Sequence, residues 1–338
     1  MHRLANIIEQ TENGASRDGC AHLSPRPSAI QQALVRLYLK GMDFILTHWR
    51  KPEMVMARLV QLNRWLCGMQ TRYQKAGQFV WPYLEGGKGV PVVLLHGYGA
   101  DKDGFGSLIP FLRRSFRVIV PDLPGFGEHA QNWTARYDVD SQVDRLEDFV
   151  KALRLPRFHL LGLSLGGYVA ARYTIRFPRR IRSLGLMDSA GFGSPVPSDA
   201  ERLYQRDGRN IFLYTNERQM EELIQFLLHR TVKLPPSVRT YWTREKLEQY
   251  AWRNKLFEDL MAGGLNVLDG QAHLIKAPTL VIWGADDQIC HVSAVDRIRS
   301  GVGNCRAYII HGCGHIPMLE YPMLFRKIYL EFLAVQKA

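Results

Sequence analysis

The segment Gly162-Leu163-Ser164-Leu165-Gly166 is the feature that most constrains the fold of this chain. An apolar run at 158–161 precedes it and another at 167–171 follows it, so the chain should pass from a strand through a tight turn into a helix. Glycines on both sides permit such a turn, because the serine backbone is strained and larger neighbours would collide with the strand and the helix. The pattern therefore predicts that the Ser164 hydroxyl projects from the edge of a sheet.

Strand and helix signals alternate around this turn, which is typical of a doubly wound, mainly parallel sheet. Residues 139–153 carry apolar side chains at helical spacing, which predicts one of the intervening helices. The candidate strands are Val90–Leu95, Arg117–Asp122, Phe158–Leu163, Ser183–Asp188, Thr279–Trp283 and Arg306–Ile310. The sequence thus predicts an α/β fold.

The alternation fails between Ala190 and about Ala277, where a leucine-rich and aromatic stretch has helical character. An insertion of this kind predicts a helical cap over the sheet. We therefore divide this part of the chain into a core formed by residues 77–189 and 278–338 and a cap, or lid, at 190–277.

The N-terminal region should differ from this body. Residues 1–27 are polar and end in prolines, which predicts a flexible arm, and residues 28–76 are expected to form an amphipathic helical extension beginning near Ser28. Two apolar stripes run along its first helix. They consist of Ile30, Leu34, Leu37, Phe44 and Ile45, and of Val35, Leu39, Met42 and Leu46. Two interpretations remain open: the extension packs on the body, or it makes peripheral membrane contact through residues 28–70.

A serine hydroxyl becomes an effective nucleophile when a histidine accepts its proton, and a carboxylate must orient that histidine. In α/β-hydrolases these groups follow the chain order serine, acid, histidine. His315 lies in a glycine-rich turn after the last candidate strand and is the predicted base. His311 at a strand end and His159 inside a strand have weaker contexts.

The acid should follow the preceding strand, where Asp286 and Asp287 are adjacent. Asp287 has the offset expected after the Trp283-Gly284 turn and is the predicted acid, while Asp286 should be solvated or cap a loop. Asp188, at the end of the strand before the cap, is a further candidate. Its structural alternative is to anchor the first turn of the cap.

Acyl transfer also requires donors for the oxyanion. We assign this role to the backbone N–H groups of Tyr98, in the segment His96-Gly97-Tyr98-Gly99 after a strand, and of Leu165. The His96 side chain is expected to hold this loop. The proposed chemistry requires neither a metal ion nor an organic cofactor.

Charge and cysteine content restrict the partners and the compartment. The net charge of +12 is spread along the chain without a recognisable nucleic-acid-binding module, so no nucleic acid partner is expected. Five cysteines without paired spacing argue against a disulfide framework and a zinc site. Charged residues within the first twenty positions argue against a signal peptide. These features favour a cytoplasmic location, with peripheral membrane association as an option.

The chain resembles the monoacylglycerol lipase branch of the α/β-hydrolase-domain proteins and related cold-active bacterial lipases. The similarity extends from about Gly68 to about Leu333. Besides the triad segments, it is carried by Gly68–Tyr73, Leu95–Asp103 and Gln142–Leu146. The resemblance implies an α/β-hydrolase fold, with Ser164 as nucleophile, Asp287 as acid and His315 as base. It also implies hydrolysis of a monoacylglycerol or a similar ester at a membrane surface.

Two other functions remain as alternatives. One is a C–C bond hydrolase of ring-fission diketones, which would be supported by a basic cap residue such as Arg206 or Arg253 placed for a substrate carboxylate. The other is a ligand receptor that keeps the fold but has negligible turnover.

Overall fold

A computed structural model describes residues 19–25, 29–49, 51–230 and 232–336. In these residues nine strands form one sheet. The strands are β1 (Cys20–Leu23), β2 (Gln70–Ala76), β3 (Phe79–Gly86), β4 (Val90–Leu95), β5 (Phe116–Pro121), β6 (Phe158–Leu163), β7 (Ile181–Met187), β8 (Thr279–Gly284) and β9 (Cys305–Ile310).

The strand order is β1-β9-β8-β7-β6-β4-β5-β3-β2. All neighbouring pairs from β1 to β5 are parallel, and β3 pairs antiparallel with both β5 and β2. Every residue of β6 and β8 is buried. These strands appear in the sequence as continuous apolar runs because both faces of a parallel sheet are covered.

Helices cover both faces of the sheet. The helices in the described ranges are α1 (Ala29–His48), α2 (Pro52–Leu66), α3 (Ile109–Leu112), α4 (Val139–Ala152), α5 (Leu165–Arg176), α6 (Asp199–Asp207), α7 (Glu217–Leu227), α8 (Pro236–Glu248), α9 (Tyr250–Ala262), α10 (Ala294–Gly301), α11 (Pro317–Glu320) and α12 (Pro322–Val335). One hydrophobic core joins the sheet to α4, α5 and α10, and a second joins it to α3 and α12. The predicted doubly wound α/β architecture is confirmed.

Helices α6 to α9 lie between β7 and β8, in the segment that the sequence assigned to the cap. They are the insertion that interrupts the strand–helix alternation. Helix α1 packs against them through a small buried cluster that contains Leu39, Met42 and the cap residue Val238. The hydroxyl of Ser237 also donates a hydrogen bond of 2.6 Å to Asp43. The second apolar stripe of α1 therefore faces the cap.

The other predicted stripe of α1 is exposed at three of its five positions, whereas Ile45 is partly buried and the side chain of Ile30 is not among those described. Leu34, Leu37 and Phe44 are 59–67% exposed. Helix α2 continues this surface with Trp65 at 71% and Leu66 at 63%. The two helices thus combine one packed face with one exposed apolar face. No helix in the described ranges combines the length and apolarity that crossing a membrane would require.

Two N-terminal predictions are wrong in part. The flexible arm proposed for residues 1–27 contains β1, which pairs in parallel with β9, while 1–18 and 26–28 lie outside the described residues. The helical extension proposed for 28–76 ends at Leu66, because 70–76 is the edge strand β2, antiparallel to β3. Strand β2 has polar residues on an exposed face and β1 is short, so neither produces the apolar run that marks a buried strand.

Candidate active site

Ser164 occupies the turn between β6 and α5 with φ 54° and ψ −118°. Positive φ is unusual for a residue with a side chain, and the surrounding contacts hold it in place. A Cβ atom on Gly162 would lie well under 3.0 Å from the backbone of Gly166, and one on Gly166 would lie equally close to the carbonyl oxygen of Leu95. The two glycines therefore allow the strand, the helix and the neighbouring loop to approach one another closely at this turn.

His315 and Asp287 are in direct contact. The distance from His315 Nδ1 to Asp287 Oδ2 is 2.8 Å, and both side chains are buried. The other oxygen, Asp287 Oδ1, accepts backbone hydrogen bonds of 2.8 Å from Ile289 and 3.0 Å from Cys290. Because both carboxylate oxygens are engaged, the ring of His315 has a fixed orientation.

The loop that carries His315 is anchored by residues that the sequence analysis did not identify. Glu320 Oε1 accepts a 2.6 Å hydrogen bond from the backbone of Gly314. The backbone N–H of His315 donates to the carbonyl of Leu227, at the end of cap helix α7, over 2.9 Å. The cap and helix α11 therefore both fix the position of the imidazole. Neither contact has a local sequence signal, because each partner lies in a different element.

The side-chain atoms that the predicted reaction would use on Ser164 and His315 have no hydrogen-bond partner among the described residues. In the part of the chain that the structure describes, neither Ser164 Oγ nor His315 Nε2 has a hydrogen-bond partner. Both atoms keep some solvent-accessible surface, since neither is among the buried polar atoms that lack a partner. The structure thus joins Asp287 to His315 but shows no hydrogen bond between His315 and Ser164. In unliganded active sites such bonds are often long and tighten when substrate binds.

The predicted oxyanion loop lies beside the serine. A Cβ atom on Gly97 would be 3.2 Å from Ser164 Cβ. The backbone N–H groups of Tyr98 and Leu165 donate no hydrogen bond to any of the described residues. His96 holds this loop as expected: Nδ1 contacts the carbonyl of Gly97 at 2.8 Å, and Nε2 accepts a 2.9 Å hydrogen bond from the next loop.

The two alternative acids have different surroundings. Asp286 Oδ2 accepts a 2.8 Å hydrogen bond from Gly312 and so caps the loop, as the sequence suggested. Asp188 is completely buried and accepts 2.9 Å from the backbone of Gly284, at the end of β8 rather than in the cap. Burial raises the pKa of Asp188 well above its usual value, and the negative charge of Asp287 raises it further. Asp188 therefore keeps its proton to a higher pH than a solvent-exposed aspartate does.

One group of side chains has the composition of a metal site. The ligand atoms of Asp287, Cys290 and His315 lie within 4.8 Å of one another. Burial, followed by the charge of Asp287, raises the pKa of the Cys290 thiol well above its usual value, so the thiol stays protonated. Because Asp287 also engages His315 directly, we interpret this group as part of the predicted hydrolytic site.

A mainly parallel sheet with a serine at a strand–helix turn and a histidine–carboxylate pair, all following the carboxyl ends of parallel strands, is the arrangement of an α/β hydrolase. Residues 90–322 match the family model described as alpha/beta hydrolase fold, and the chain belongs to this family. The fold and the family resemblance inferred from the sequence are therefore confirmed.

Within the family the chain is similar to several named lipases. It is 30% identical to Lipase 3 of Moraxella sp. (strain TA144) over 69% of this chain and 73% of that protein. It is 28% identical to human monoacylglycerol lipase ABHD6 over 79% of this chain and 83% of that protein. The crystal structure of a membrane phospholipase A, described as a bacterial virulence factor, superposes with a TM-score of 0.81. That match has 29% identity and covers 91% of this chain and 98% of the other.

Proposed function

We propose that the protein hydrolyses carboxylic esters of lipids, most closely monoacylglycerols, through a covalent acyl-enzyme. The observation that carries the proposal is the 2.8 Å His315–Asp287 pair. Asp287 and His315 follow the carboxyl ends of the parallel strands β8 and β9, and the Ser164 turn follows the carboxyl end of β6 in the same sheet. The relatives named as lipases support the same reaction class.

In the first half-reaction, Ser164 Oγ attacks the ester carbonyl carbon while His315 Nε2 takes the hydroxyl proton. Asp287 holds the opposite ring nitrogen and stabilises the imidazolium. When the tetrahedral intermediate collapses, the bond to the leaving alcohol breaks and His315 returns the proton to that alcohol. Water then attacks the acyl-enzyme with the same proton transfers and releases the carboxylic acid.

The backbone N–H groups of Tyr98 and Leu165 would stabilise the oxyanion in both half-reactions. Removing one such donor in other enzymes costs about 3–4 kcal/mol of transition-state stabilisation. The Tyr98 ring packs against Phe212 and Phe257 of the cap at centroid distances of 5.3 and 6.2 Å. Apolar cap surface of this kind would bind an acyl chain, with burial contributing about 25 cal/mol per Å².

The test is a panel of monoacylglycerols and aryl esters of increasing chain length, combined with labelling by a fluorophosphonate probe. We expect ester turnover and labelling in the wild type, and loss of both in Ser164→Ala. Asp287→Asn should lower kcat by roughly 10⁴-fold through loss of imidazole orientation. The matched control is Ser300→Ala, because the exposed Ser300 hydroxyl donates to the nearby Arg297 carbonyl, and this variant should behave as wild type. Full esterase activity in Ser164→Ala would refute the proposal, and an unlabelled, inactive wild type would favour the receptor alternative.

One observation favours a second candidate, the C–C bond hydrolase. Arg253 of the cap is buried, as a residue binding a substrate carboxylate would be, whereas Arg206 is exposed and paired with Asp207. Adding a vinylogous ring-fission diketone to the substrate panel separates the two reactions. Turnover of the diketone without turnover of glyceryl esters would establish the second candidate instead.

We also propose that residues 28–70 contact an anionic lipid bilayer. The exposed apolar side chains of α1 and α2 lie among the exposed cations Arg36, Lys40, Lys51 and Arg58. This combination fits a surface with apolar depth and negative headgroups. Together with the five free thiols, it supports a peripheral location on the cytoplasmic side of a membrane.

Vesicle sedimentation tests the membrane contact. The double variant Leu37→Asp/Trp65→Asp should bind phosphatidylglycerol-containing vesicles at least tenfold more weakly than wild type. Met323→Asp is the control, because Met323 is 51% exposed but lies in α12. Equal binding by all three proteins would contradict the membrane proposal.

A further inference from the structure

Arg253 is a buried cation on cap helix α9 whose hydrogen-bonding capacity is largely unused. The residue is 5% exposed. Its Nη2 donates to the carbonyl of Phe212, and its guanidinium carbon lies 4.9 Å from the centroid of the Tyr214 ring. Its Nε and Nη1 groups are buried and have no acceptor among the described residues. Buried guanidinium N–H groups without acceptors are costly, which points to a missing anionic partner.

Two neighbouring buried cations, by contrast, have carboxylate partners, although Arg113 Nε and Arg145 Nη1 also lack an acceptor among the described residues. Arg64 donates to Asp103 at 2.8 and 2.5 Å. Lys102 contacts Asp122 and Glu128, both at 2.8 Å. These side chains have carboxylate partners from their own chain, whereas the partners described for the Arg253 guanidinium are neutral, namely the Phe212 carbonyl and the Tyr214 side chain.

The location of Arg253 connects it to the proposed reaction. A Cβ atom on Gly99 would lie 4.0 Å from Arg253 Nη2, and one on Gly97 would lie 3.2 Å from Ser164 Cβ. The oxyanion loop thus has the serine at one end and the guanidinium at the other. The two glycine Cα atoms are separated by at most about 7 Å, the span of two residues. That span is similar to the five bonds (2-acyl isomer) or six bonds (1-acyl isomer) that separate the ester carbonyl carbon from the phosphorus of an acylglycerol 3-phosphate.

Arg253 also lines a cavity of about 250 Å³ together with Gly99 and Phe126. Ser164 and His315 are not in its lining. The cavity therefore offers space beside the oxyanion loop, separate from the reacting atoms, for a polar substituent of a substrate.

We propose that Arg253 binds an anionic oxygen group, a phosphate or a carboxylate, carried by the ester substrate. This inference rests on the proposed ester hydrolase function and refines its substrate class from neutral to anionic glycerol esters. The guanidinium would donate its Nε–H or an Nη1–H together with the second N–H of Nη2 as two parallel groups, a geometry that favours arginine over lysine.

The test compares three soluble hexanoyl esters: hexanoylglycerol, hexanoylglycerol 3-phosphate and the hexanoyl ester of glycerate. The wild type should hydrolyse at least one anionic ester with a kcat/KM at least tenfold above that of the neutral ester. In Arg253→Gln this ratio should fall at least tenfold, and Arg253→Lys should restore part of it. The control is Arg206→Gln, an exposed cap arginine paired with Asp207, which should keep the wild-type ratio.

The three esters distinguish a phosphate subsite from a carboxylate subsite. They also distinguish failure of this inference from failure of the proposed hydrolase function. Preference for the phosphate ester, with competitive inhibition of aryl ester hydrolysis by inorganic phosphate, identifies a phosphate subsite, and preference for the glycerate ester identifies a carboxylate subsite. Hydrolysis of the neutral ester without any anionic preference in the wild type would overturn the inference, even if the variants fail to fold. An equal loss on all three esters in Arg253→Gln would also overturn it, because the role would then be structural. No turnover of any ester and no fluorophosphonate labelling would instead refute the hydrolase proposal.

Discussion

Arg64 links helix α2 to the segment that follows the predicted oxyanion loop, and Arg64→Met should lower the free energy of unfolding substantially. The guanidinium is 6% exposed and binds Asp103 through two hydrogen bonds, with further hydrogen bonds of 3.1 Å to Thr71 and 3.2 Å to Glu128. Methionine keeps most of the apolar stem but leaves both carboxylates without this cation.

The size of the expected loss in unfolding free energy depends on how exposed Asp103 and Glu128, the partners of Arg64, are to water. Breaking a fully buried ion pair costs about 3–5 kcal/mol, whereas an exposed pair contributes about 0–1 kcal/mol. Asp103 is 26% and Glu128 40% exposed, so water stabilises both carboxylates after the substitution. We therefore expect a loss of about 2–3 kcal/mol for Arg64→Met, between these two limits.

Urea denaturation followed by tryptophan fluorescence measures the effect. The matched control is Arg72→Met, because Arg72 is 53% exposed and pairs with Glu85 at 2.9 Å on the neighbouring strand. It should cost less than about 1 kcal/mol. A double-mutant cycle of Arg64→Met with Asp103→Asn should give a coupling energy of about 1.5 kcal/mol or more. Equal losses in Arg64→Met and Arg72→Met, or a coupling energy near zero, would refute this reasoning.

Three further predictions concern buried groups. Asp188 has a raised pKa in the folded protein, so above about pH 4 the native state still holds a proton that the unfolded chain has released. The stability that this proton contributes is therefore lost as the pH rises toward the raised pKa of Asp188. Relative to wild type, Asp188→Asn should remove a slope of up to about 1.4 kcal/mol per pH unit in urea denaturation across that window, and parallel profiles would contradict this. Gly166→Ala should destabilise the protein by more than about 2 kcal/mol in thermal melting because its Cβ would overlap backbone atoms. Gly303→Ala, with no atom within 4 Å of the new Cβ, should be nearly neutral, and similar melting temperatures would exclude the clash. Met42→Ala should lower the free energy of unfolding, measured by urea denaturation, by about 2–3 kcal/mol because Met42 is 3% exposed and packs against the cap. Leu37→Ala, at a 67% exposed site, should lower it by less than about 0.5 kcal/mol. Equal losses in the two variants would contradict the packing of the second stripe against the cap.

The sequence predicted the central strands well because parallel strands buried on both faces are apolar throughout. The strand at Val90–Leu95 and the one at Phe158–Leu163 have the predicted bounds. Strand β2 was missed because its sequence QTRYQKA is mostly polar and its side chains are largely exposed. Strand β1 was missed because its partner β9 lies more than 280 residues away along the chain, and no local pattern reports such a pairing.

In the candidate site, too, some residues have a local sequence signal and others are brought together only by tertiary packing. Ser164, Asp287 and His315 could be selected because each follows a recognisable strand and belongs to a local turn. The contact between Asp287 and His315 was expected, but the anchoring of the histidine loop by Glu320 and by the Leu227 carbonyl depends on tertiary packing. Arg253 was noted as a basic cap residue, and its burial without carboxylate partners became visible only in the folded chain.

The N-terminal strand β1 has a practical consequence for shortened versions of this protein. Residues 20–23 occupy one margin of the sheet, where the carbonyl of Leu23 accepts a 2.8 Å hydrogen bond from His311. A recombinant form that starts after residue 23 would leave the backbone groups of β9 open to strands from other molecules, a common route to aggregation. Truncations intended to remove the upstream residues should therefore retain Gly19 onward.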